Sequence, residues 1–304
     1  MLTERTWTGR ALGTGVKLQV VTDDVRAGDD ALLRAVKDLE ETEQALSRFR
    51  EDSDLSILNR EGTTLAGWRL FEAVEASIRA YEWSGGIVDP RVIQALENLG
   101  YRKSLPRGDV RDAVSIEPLG PADMRNWVDT GELDAGERRI SLPESVRLDL
   151  AGVGKALGIG WAARHLAGHA GLLVDVGGDV MAIGCDGRGE PWRIAVYHGG
   201  IVGEFTGSPL AVATSTTMRR AWKAAGRNVH HLIDPRTGEP SRSGLLYATV
   251  AAPTILESDL IAKMLVIKGK EATHRIDGRY QAIVTSESGE TRMLGPRENL
   301  GVTA

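Results

Sequence analysis

Apolar residues recur every three or four positions in the first third of the chain and alternate with polar residues in much of the rest. The helical spacing is clearest over 31–46 and 70–83, where apolar side chains would line one face of each helix. Strand-forming residues flank glycine turns over 171–184 and 281–294, a pattern typical of hairpins. Helices followed by strands predict an α+β fold with mixed or antiparallel sheets and flanking helices.

Local sequence signals indicate where two helices begin. Thr254 with Glu257 three residues later forms a capping box, which predicts a helix over 255–267. Asp89 followed by Pro90 predicts the start of another helix, with the aspartate as N-cap. Other expected elements include a short helix over 216–225, a strand over 229–233 and a loop over 102–126.

Composition narrows the class of protein. The chain is 42% hydrophobic and 26% charged, with a net charge of −5 and no basic face, which argues against nucleic acid as a partner. Cys185 is the single cysteine, so neither a disulfide framework nor a cysteine metal site is expected. No apolar segment resembles a signal peptide or membrane span, so we expect a cytoplasmic protein without stable membrane insertion.

The length of 304 residues suits one large domain or two smaller ones. We predict a single domain over 1–304, with lobes dividing near residue 145. The oligomeric state is not predicted.

The stretch 148–160, LDLAGVGKALGIG, turns on glycines from a strand into a helix. A helix N-terminus presents backbone N–H groups and a positive dipole end, so phosphate is a natural ligand there. A Walker A loop is disfavoured because Asp149 occupies its first glycine position and Ala156 replaces its hydroxyl residue. A Rossmann turn is disfavoured because hairpins follow instead of crossovers. A plain strand–helix corner stays open.

Seven separated segments, in order, resemble the FAD:protein FMN transferases of the ApbE family. They are LSRFREDSDLSILN (46–59), SGGIVDPRV (84–92), LDLAGVGKALG (148–158), LLVDVGGDVMAIG with RGEPWRIAV (172–196), VATSTTMRR (212–220), HHLIDPRTGEP (230–240) and VAAPTILESDLIAKML (250–265). The resemblance implies a two-lobed, T-fold-like α+β architecture with the flavin dinucleotide held between the parts.

The resemblance also implies an activity. Similar proteins use FAD and Mg²⁺ to transfer FMN to a threonine hydroxyl of an acceptor flavoprotein, and AMP leaves. The alternatives are an FAD-binding or flavin-storage protein, or an FAD hydrolase, with an altered metal site.

Site residues follow from the same resemblance. His231 is the expected general base, because a histidine titrates near neutral pH, and His230 would point to the opposite strand face. Each of four residues also has an alternative role without a ligand. These are a packed histidine at 231, a helix-entry cap at Asp149, a solvated Lys155 and a helix cap at Ser215. The residues expected to contact FAD are Leu12, Phe49, Ile87, Val88, Asp89, Asp149, Lys155, Ser215 and Ile233.

The expected metal site departs from the family pattern. The resemblance assigns the metal to the Gly152 carbonyl and Asp259, but Lys263 stands at the family's threonine position and Ala262 at an acidic position of some members. Asp259 and Lys263 share a helix face and favour an ion pair. Two outcomes are open. In the first, which is favoured, Mg²⁺ still binds through Asp259, Gly152, phosphate and water. In the second, Lys263 replaces part of the metal's charge.

Overall fold

The computed structural model describes residues 1–103, 131–275, 278–296 and 300–301. The chain divides into two compact units. The first, here called the sheet unit, comprises Met1–Glu41, Lys155–Thr216 and Gly244–Ala304. The second, called the helix unit, comprises Thr42–Gly154 and Thr217–Ser243. Most of the loop expected over 102–126 lies outside the described residues.

The helices largely follow the predicted apolar spacing. None of those in the described part of the chain is long and apolar enough to cross a membrane. The α-helices span Val25–Leu46, Asp54–Glu61, Trp68–Ser84, Ile93–Asn98, Gly154–Leu166 and Ile255–Lys268, and 3₁₀ turns span Leu150–Gly152 and Gly269–Arg275.

The strands are mostly short and joined by tight turns. In chain order they are β1 (Thr3–Ala11), β2 (Thr14–Thr22), β3 (Thr63–Leu65), β4 (Glu132–Asp134), β5 (Arg139–Ser141), β6 (Gly171–Val176), β7 (Asp179–Gly184), β8 (Trp192–Tyr197), β9 (Ile201–Gly207), β10 (Leu210–Thr216), β11 (Ala221–Ala224), β12 (Arg227–His230), β13 (Ile233–Asp234), β14 (Glu239–Pro240), β15 (Leu245–Ala252), β16 (Gln281–Ser286), β17 (Thr291–Leu294) and β18 (Leu300–Gly301).

An eight-stranded antiparallel sheet forms the centre of the sheet unit, in the order β1-β2-β6-β7-β10-β15-β16-β17. Both of its faces are covered. On one face, Ala211 and Ala213 of β10 join a core with residues of helices Val25–Leu46 and Gly154–Leu166. On the other, Leu210 and Val212 pack against β8 and β9. Successive residues of β10 therefore pack alternately into two different cores, one on each face of the sheet.

The helix unit combines its helices with small sheets of two or three strands. One of its cores brings together Leu96, Tyr101, Trp222 and Ile233. The indole N–H of Trp222 donates to the carbonyl of Leu99 at 2.6 Å, so this large side chain is fixed at both its apolar and polar ends.

The helix predicted over 216–225 is wrong. β10 extends to Thr216, and β11 and β12 form a hairpin instead. Ala225 and Gly226 turn the chain with φ values of 43° and 77°, a left-handed pair that suits a two-residue hairpin turn. Trp222 and Ala224 are buried while their neighbours are exposed, which is strand rather than helix periodicity.

A buried histidine links several strands of the sheet unit. His198 contacts the hydroxyls of Thr285 at 2.7 Å and Thr249 at 2.8 Å, and its ring stacks on Tyr247 with 4.7 Å between centroids. Thr249 continues the network to Thr214 at 2.8 Å. Burial lowers the pKa of His198 from its ordinary value of 6.5 to about 4, so the neutral ring is the folded form.

We expect His198 to make the fold acid-sensitive. Its folded pKa lies below its unfolded pKa, so its stabilisation is complete above pH 6.5 and is lost as the pH falls towards about 4. A pKa difference of about 2.5 corresponds to about 3 kcal/mol. Urea unfolding of wild type and His198→Asn at pH 7.5 and pH 4 measures this contribution to the free energy of unfolding. The stability advantage of wild type should shrink at pH 4, and an advantage equal at both pH values would contradict the expectation.

Candidate functional site

Four charged side chains, here called the charge quartet, lie in the sheet unit. The ammonium group of Lys155 contacts Oδ2 of Asp179, and that of Lys263 contacts Oδ1 of Asp259. Asp179 and Asp259 are only 1% and 2% exposed. Asp259 also interacts electrostatically with Asp179 and Lys155, so the two pairs form one cluster. Buried carboxylates are rare without such partners.

Three elements position the quartet. Lys155 lies in the first turn of helix Gly154–Leu166, and its ammonium pairs with buried Asp179 although the lysine side chain is 26% exposed. Asp179 begins β7 directly after a two-glycine turn, and the N–H of Thr214 donates to its Oδ1 at 3.0 Å. Asp259 and Lys263 are four residues apart on helix Ile255–Lys268, and the ion pair expected from that spacing is present.

Burial and charge act in opposite directions on Asp259. Burial is the main cause that raises its pKa, and the nearby charge of Asp179 adds to it. The ammonium groups of Lys263 and Lys155 lower the pKa and favour the carboxylate. Two carboxylates and two ammonium groups give the quartet no formal net charge.

Leu12 and Ser215 are also in the sheet unit. Leu12 lies in the turn between β1 and β2 with a φ of 53°, and its side chain packs against the helix-covered core. Ser215 is buried in β10, opposite Ala248 of β15. Because no helix follows Ser215, the helix-cap alternative for it is wrong.

Asp149, in the helix unit, has two structural roles. Its Oδ1 accepts the N–H of Ala151 at 2.9 Å, which caps the 3₁₀ turn Leu150–Gly152 as the helix-entry alternative predicted. Its Oδ2 lies 2.8 Å from Nε of Arg48, and both side chains are buried. Capping and ion pairing together hold this carboxylate in one orientation.

Arg48 joins Asp149 to a group of rings, here called the aromatic cluster, formed by Phe49, Tyr101 and Trp222. The guanidinium lies 4.2 Å from the ring centroid of Phe49 and 4.8 Å from that of Tyr101, and donates to the Tyr101 carbonyl at 2.8 Å. Tyr101 lies 5.3 Å from Trp222. Predicted residues Phe49 and Asp149 are thus brought together around Arg48, and Ile233 packs in the same core as Tyr101.

The segment with Ile87, Val88 and Asp89 is held by local hydrogen bonds. The hydroxyl of Ser84 accepts the N–H groups of Ile87 at 3.1 Å and Val88 at 3.0 Å. The N-cap role expected for Asp89 is wrong, because the next helix begins at Ile93. The Asp89 carboxylate instead binds the guanidinium of Arg91 at 2.8 and 2.9 Å.

Gly152 lies beside the same segment. A Cβ placed on Gly152 would meet Cγ1 of Val88 at 3.6 Å, an ordinary contact, so close packing does not require glycine here. Gly152 ends the 3₁₀ turn that Asp149 caps.

The two adjacent histidines differ in their surroundings. β12 ends at His230, so His230 and His231 do not alternate within one strand as expected. Both ring nitrogens of His230 meet the backbone, Nε2 at the Ser241 carbonyl and Nδ1 at the Leu232 N–H. Burial lowers the pKa of His230, and the bond to Ser241 opposes this effect. The backbone N–H of His231 donates to Arg220 at 3.2 Å.

Asp234 builds the turn that follows, as expected. Its carbonyl accepts the N–H groups of Thr237 at 3.1 Å and Gly238 at 2.9 Å. Its carboxylate holds the guanidinium of Arg236.

Sequence reasoning missed four residues of these clusters, Arg48, Tyr101, Asp179 and Trp222. Asp179 had a usable signal, since an acidic residue directly after Gly-Gly begins an otherwise apolar strand. Arg48 stands between Ser47 and Phe49 and is followed by exposed Arg50, Glu51 and Asp52, so its burial has no local signature.

The residues present do not fit the magnesium site that the resemblance implied. In the part of the chain with described coordinates, no three side chains of histidine, cysteine, aspartate or glutamate converge on one point. Asp259 already holds the ammonium of Lys263, and only its buried Oδ2 lacks a hydrogen-bond partner. A carboxylate that already pairs with one ammonium group and interacts with a second is a poor ligand for Mg²⁺, because both positive charges repel a divalent cation.

Comparison with known families matches residues 12–284 to the ApbE family, so the chain belongs to that family. The FAD:protein FMN transferase of Escherichia coli K12 is 25% identical over 298 residues, covering 92% of this chain and 83% of the relative. That of Rhodobacter capsulatus is 32% identical over 201 residues, covering 64% of this chain and 37% of the relative.

Solved structures confirm the predicted two-lobed, ApbE-like α+β fold. An ApbE protein from Thermotoga maritima matches with a TM-score of 0.81 at 20% identity, covering 96% of this chain and 97% of that one. The flavin transferase ApbE from Vibrio cholerae matches with a TM-score of 0.75 at 20% identity, covering 97% and 98%. At this identity the likeness concerns the fold.

Proposed function

We propose that this protein is an FAD:protein FMN transferase that moves FMN from FAD to a threonine hydroxyl of an acceptor flavoprotein. The match to the ApbE family over residues 12–284, with curated relatives named for this activity, is the observation on which the function rests. A single transferase domain and a cytoplasmic location stay predictions.

The proposed reaction is a displacement at phosphorus. The threonine oxygen forms a bond to the phosphorus of the FMN half of FAD, and the bond from that phosphorus to the bridging oxygen breaks. AMP leaves with the bridging oxygen, and the hydroxyl proton passes to a general base. Such a step needs neutralised pyrophosphate charge and a correctly placed base.

His231 is the proposed general base. The surroundings of its neighbour support this choice, because backbone groups occupy both ring nitrogens of His230 and fix a neutral tautomer. A histidine committed to the backbone in this way cannot take a proton from a substrate without breaking its own hydrogen bonds.

Lys155 is proposed to face the pyrophosphate. It stands in the first turn of helix Gly154–Leu166, where the helix dipole also favours an anion. Its side chain is 26% exposed although it pairs with buried Asp179, so the ammonium is held in place and still reaches the surface of the sheet unit. Ser215 and Leu12 are the other proposed FAD contacts of this unit.

Flavin contacts in the helix unit are proposed for the residues predicted from the resemblance. Phe49 is 37% exposed, so its ring can meet a ligand on one side while Arg48 covers the other. Asp149 is held rigidly by its cap and its ion pair, which suits a positioning role. The remaining proposed contacts are Ile87, Val88, Asp89 and Ile233.

A second candidate function has one observation in its favour. The pairing of Asp259 with Lys263 alters the expected metal site, and a protein that has lost its metal could bind FAD without transferring FMN, or could hydrolyse it. These two outcomes differ from transfer in their products, so one assay separates all three.

The test incubates the protein with FAD and an acceptor flavoprotein domain that carries a target threonine. In-gel flavin fluorescence reports covalent FMN, and chromatography reports AMP and free FMN. Transfer predicts a fluorescent acceptor and one AMP per FMN attached. The matched control is the acceptor with its threonine replaced by valine, which should stay dark. FMN and AMP without labelling indicate hydrolysis, and intact bound FAD indicates storage.

A further inference from the structure

We infer that the ammonium group of Lys263 takes the place of a metal cation beside Asp259, so that the protein binds the FAD pyrophosphate without a protein-held magnesium ion. This inference rests on the proposed function for its ligand, FAD. Of the two outcomes that the sequence left open, the contacts of Asp259 favour Lys263 in place of the metal.

The position of the ammonium is the first reason. Lys263 contacts Oδ1 of Asp259 from one turn further along the same helix, and the lysine side chain is only 14% exposed. The pair is thus set by the helix itself and not by a flexible loop. An ammonium is a donor-only group, so it can bind phosphate oxygens but cannot coordinate a metal.

The charge count is the second reason. Asp179 and Asp259 are each matched by one lysine, so the quartet is neutral before any ligand arrives. A divalent cation at Asp259 would lie beside Lys263 and near Lys155, which also interacts with that carboxylate. A divalent cation and an ammonium group that contact the same carboxylate repel each other strongly where water is excluded. Magnesium would therefore have to displace an ammonium that the fold holds in place.

The free oxygen of Asp259 is consistent with this view. Oδ2 is buried and has no hydrogen-bond partner among the described residues. Oδ2 therefore remains as a hydrogen-bond acceptor for a water or a second donor, while Oδ1 is already occupied by the Lys263 ammonium. Replacing Lys263 by threonine would free Oδ1 as well, add a hydroxyl oxygen and leave the cluster with a net negative charge.

Metal binding is measured first, with Mn²⁺ alone as a paramagnetic probe and no FAD present. Wild type should show no saturable Mn²⁺ binding, whereas Lys263→Thr should bind one ion per chain. Lys263→Met is the matched control, because it removes the ammonium without supplying an oxygen. Saturable binding of one Mn²⁺ by wild type would overturn the inference, whatever the variants do.

FAD affinity is measured next, by flavin fluorescence in EDTA and in excess Mg²⁺. Wild-type affinity should be the same in both, and Lys263→Arg, which keeps the charge, should share that insensitivity. Lys263→Thr should lose about tenfold to a hundredfold in EDTA and regain it in Mg²⁺, since one charge-assisted contact is lost. An EDTA-sensitive wild type would overturn the inference. Neither measurement needs an acceptor, so a failure of FMN transfer would be recognised separately.

Discussion

Replacing His231 by glutamine is expected to lower the rate of FMN transfer by about 10²- to 10⁴-fold, the usual contribution of a general base. Affinity for FAD should change little, because the proposed role of the ring is to accept the threonine proton. Time courses of acceptor labelling give the rate, and quenching of flavin fluorescence gives the affinity.

His230 supplies the matched control for this substitution. Its ring nitrogens meet the Ser241 carbonyl and the Leu232 N–H, so His230→Asn removes backbone hydrogen bonds one residue away from the proposed base. We expect a loss of stability with the labelling rate of the folded protein within about tenfold of wild type. A full rate in His231→Gln together with a large loss in His230→Asn would reverse the assignment.

Replacing Arg48 by methionine is expected to lower the free energy of unfolding by about 3–5 kcal/mol. Arg48 and Asp149 are 5% and 8% exposed, so the substitution leaves a buried carboxylate without its cation. It also removes the guanidinium that lies over the rings of Phe49 and Tyr101. Urea unfolding followed by tryptophan fluorescence measures the loss, since Trp222 belongs to the same aromatic cluster.

Arg50 offers a control two residues further on. Its side chain is 47% exposed, and its guanidinium lies 3.9 Å from the carboxylates of Glu43 and Asp52. Arg50→Met should therefore cost less than about 1 kcal/mol. Arg48→Met combined with Asp149→Asn should recover part of the loss, because the uncompensated charge is gone. Equal losses at positions 48 and 50 would contradict the importance of burial.

Much of the fold could be predicted from local patterns. The hairpins over 171–184 and 281–294 formed because each alternates apolar residues around a glycine turn. Thr254 caps its helix through Glu257, as the capping box indicated. These features depend on residues a few positions apart, and local sequence specifies them.

The site was predictable to a smaller extent. The ion pair of Asp259 and Lys263 followed from helical spacing, whereas Asp179 is joined to Lys155 only by the packing of separate elements. Arg48 and Asp149 are likewise distant in sequence, and the exposed charged residues that follow Arg48 give no sign of its burial. The hairpin in place of the helix at 216–225 shows tertiary packing overriding helix propensity.

The interleaving of the two units along the chain has a consequence for biosynthesis. All residues of the helix unit have left the ribosome once Ser243 has emerged, but the sheet unit still lacks strands β15 to β18 and helix Ile255–Lys268. Until β15 is synthesised, the edge of β10 that pairs with β15 stays unpaired and exposed. Co-translational folding can therefore complete the helix unit first, and the nascent sheet is the part that chaperones must protect.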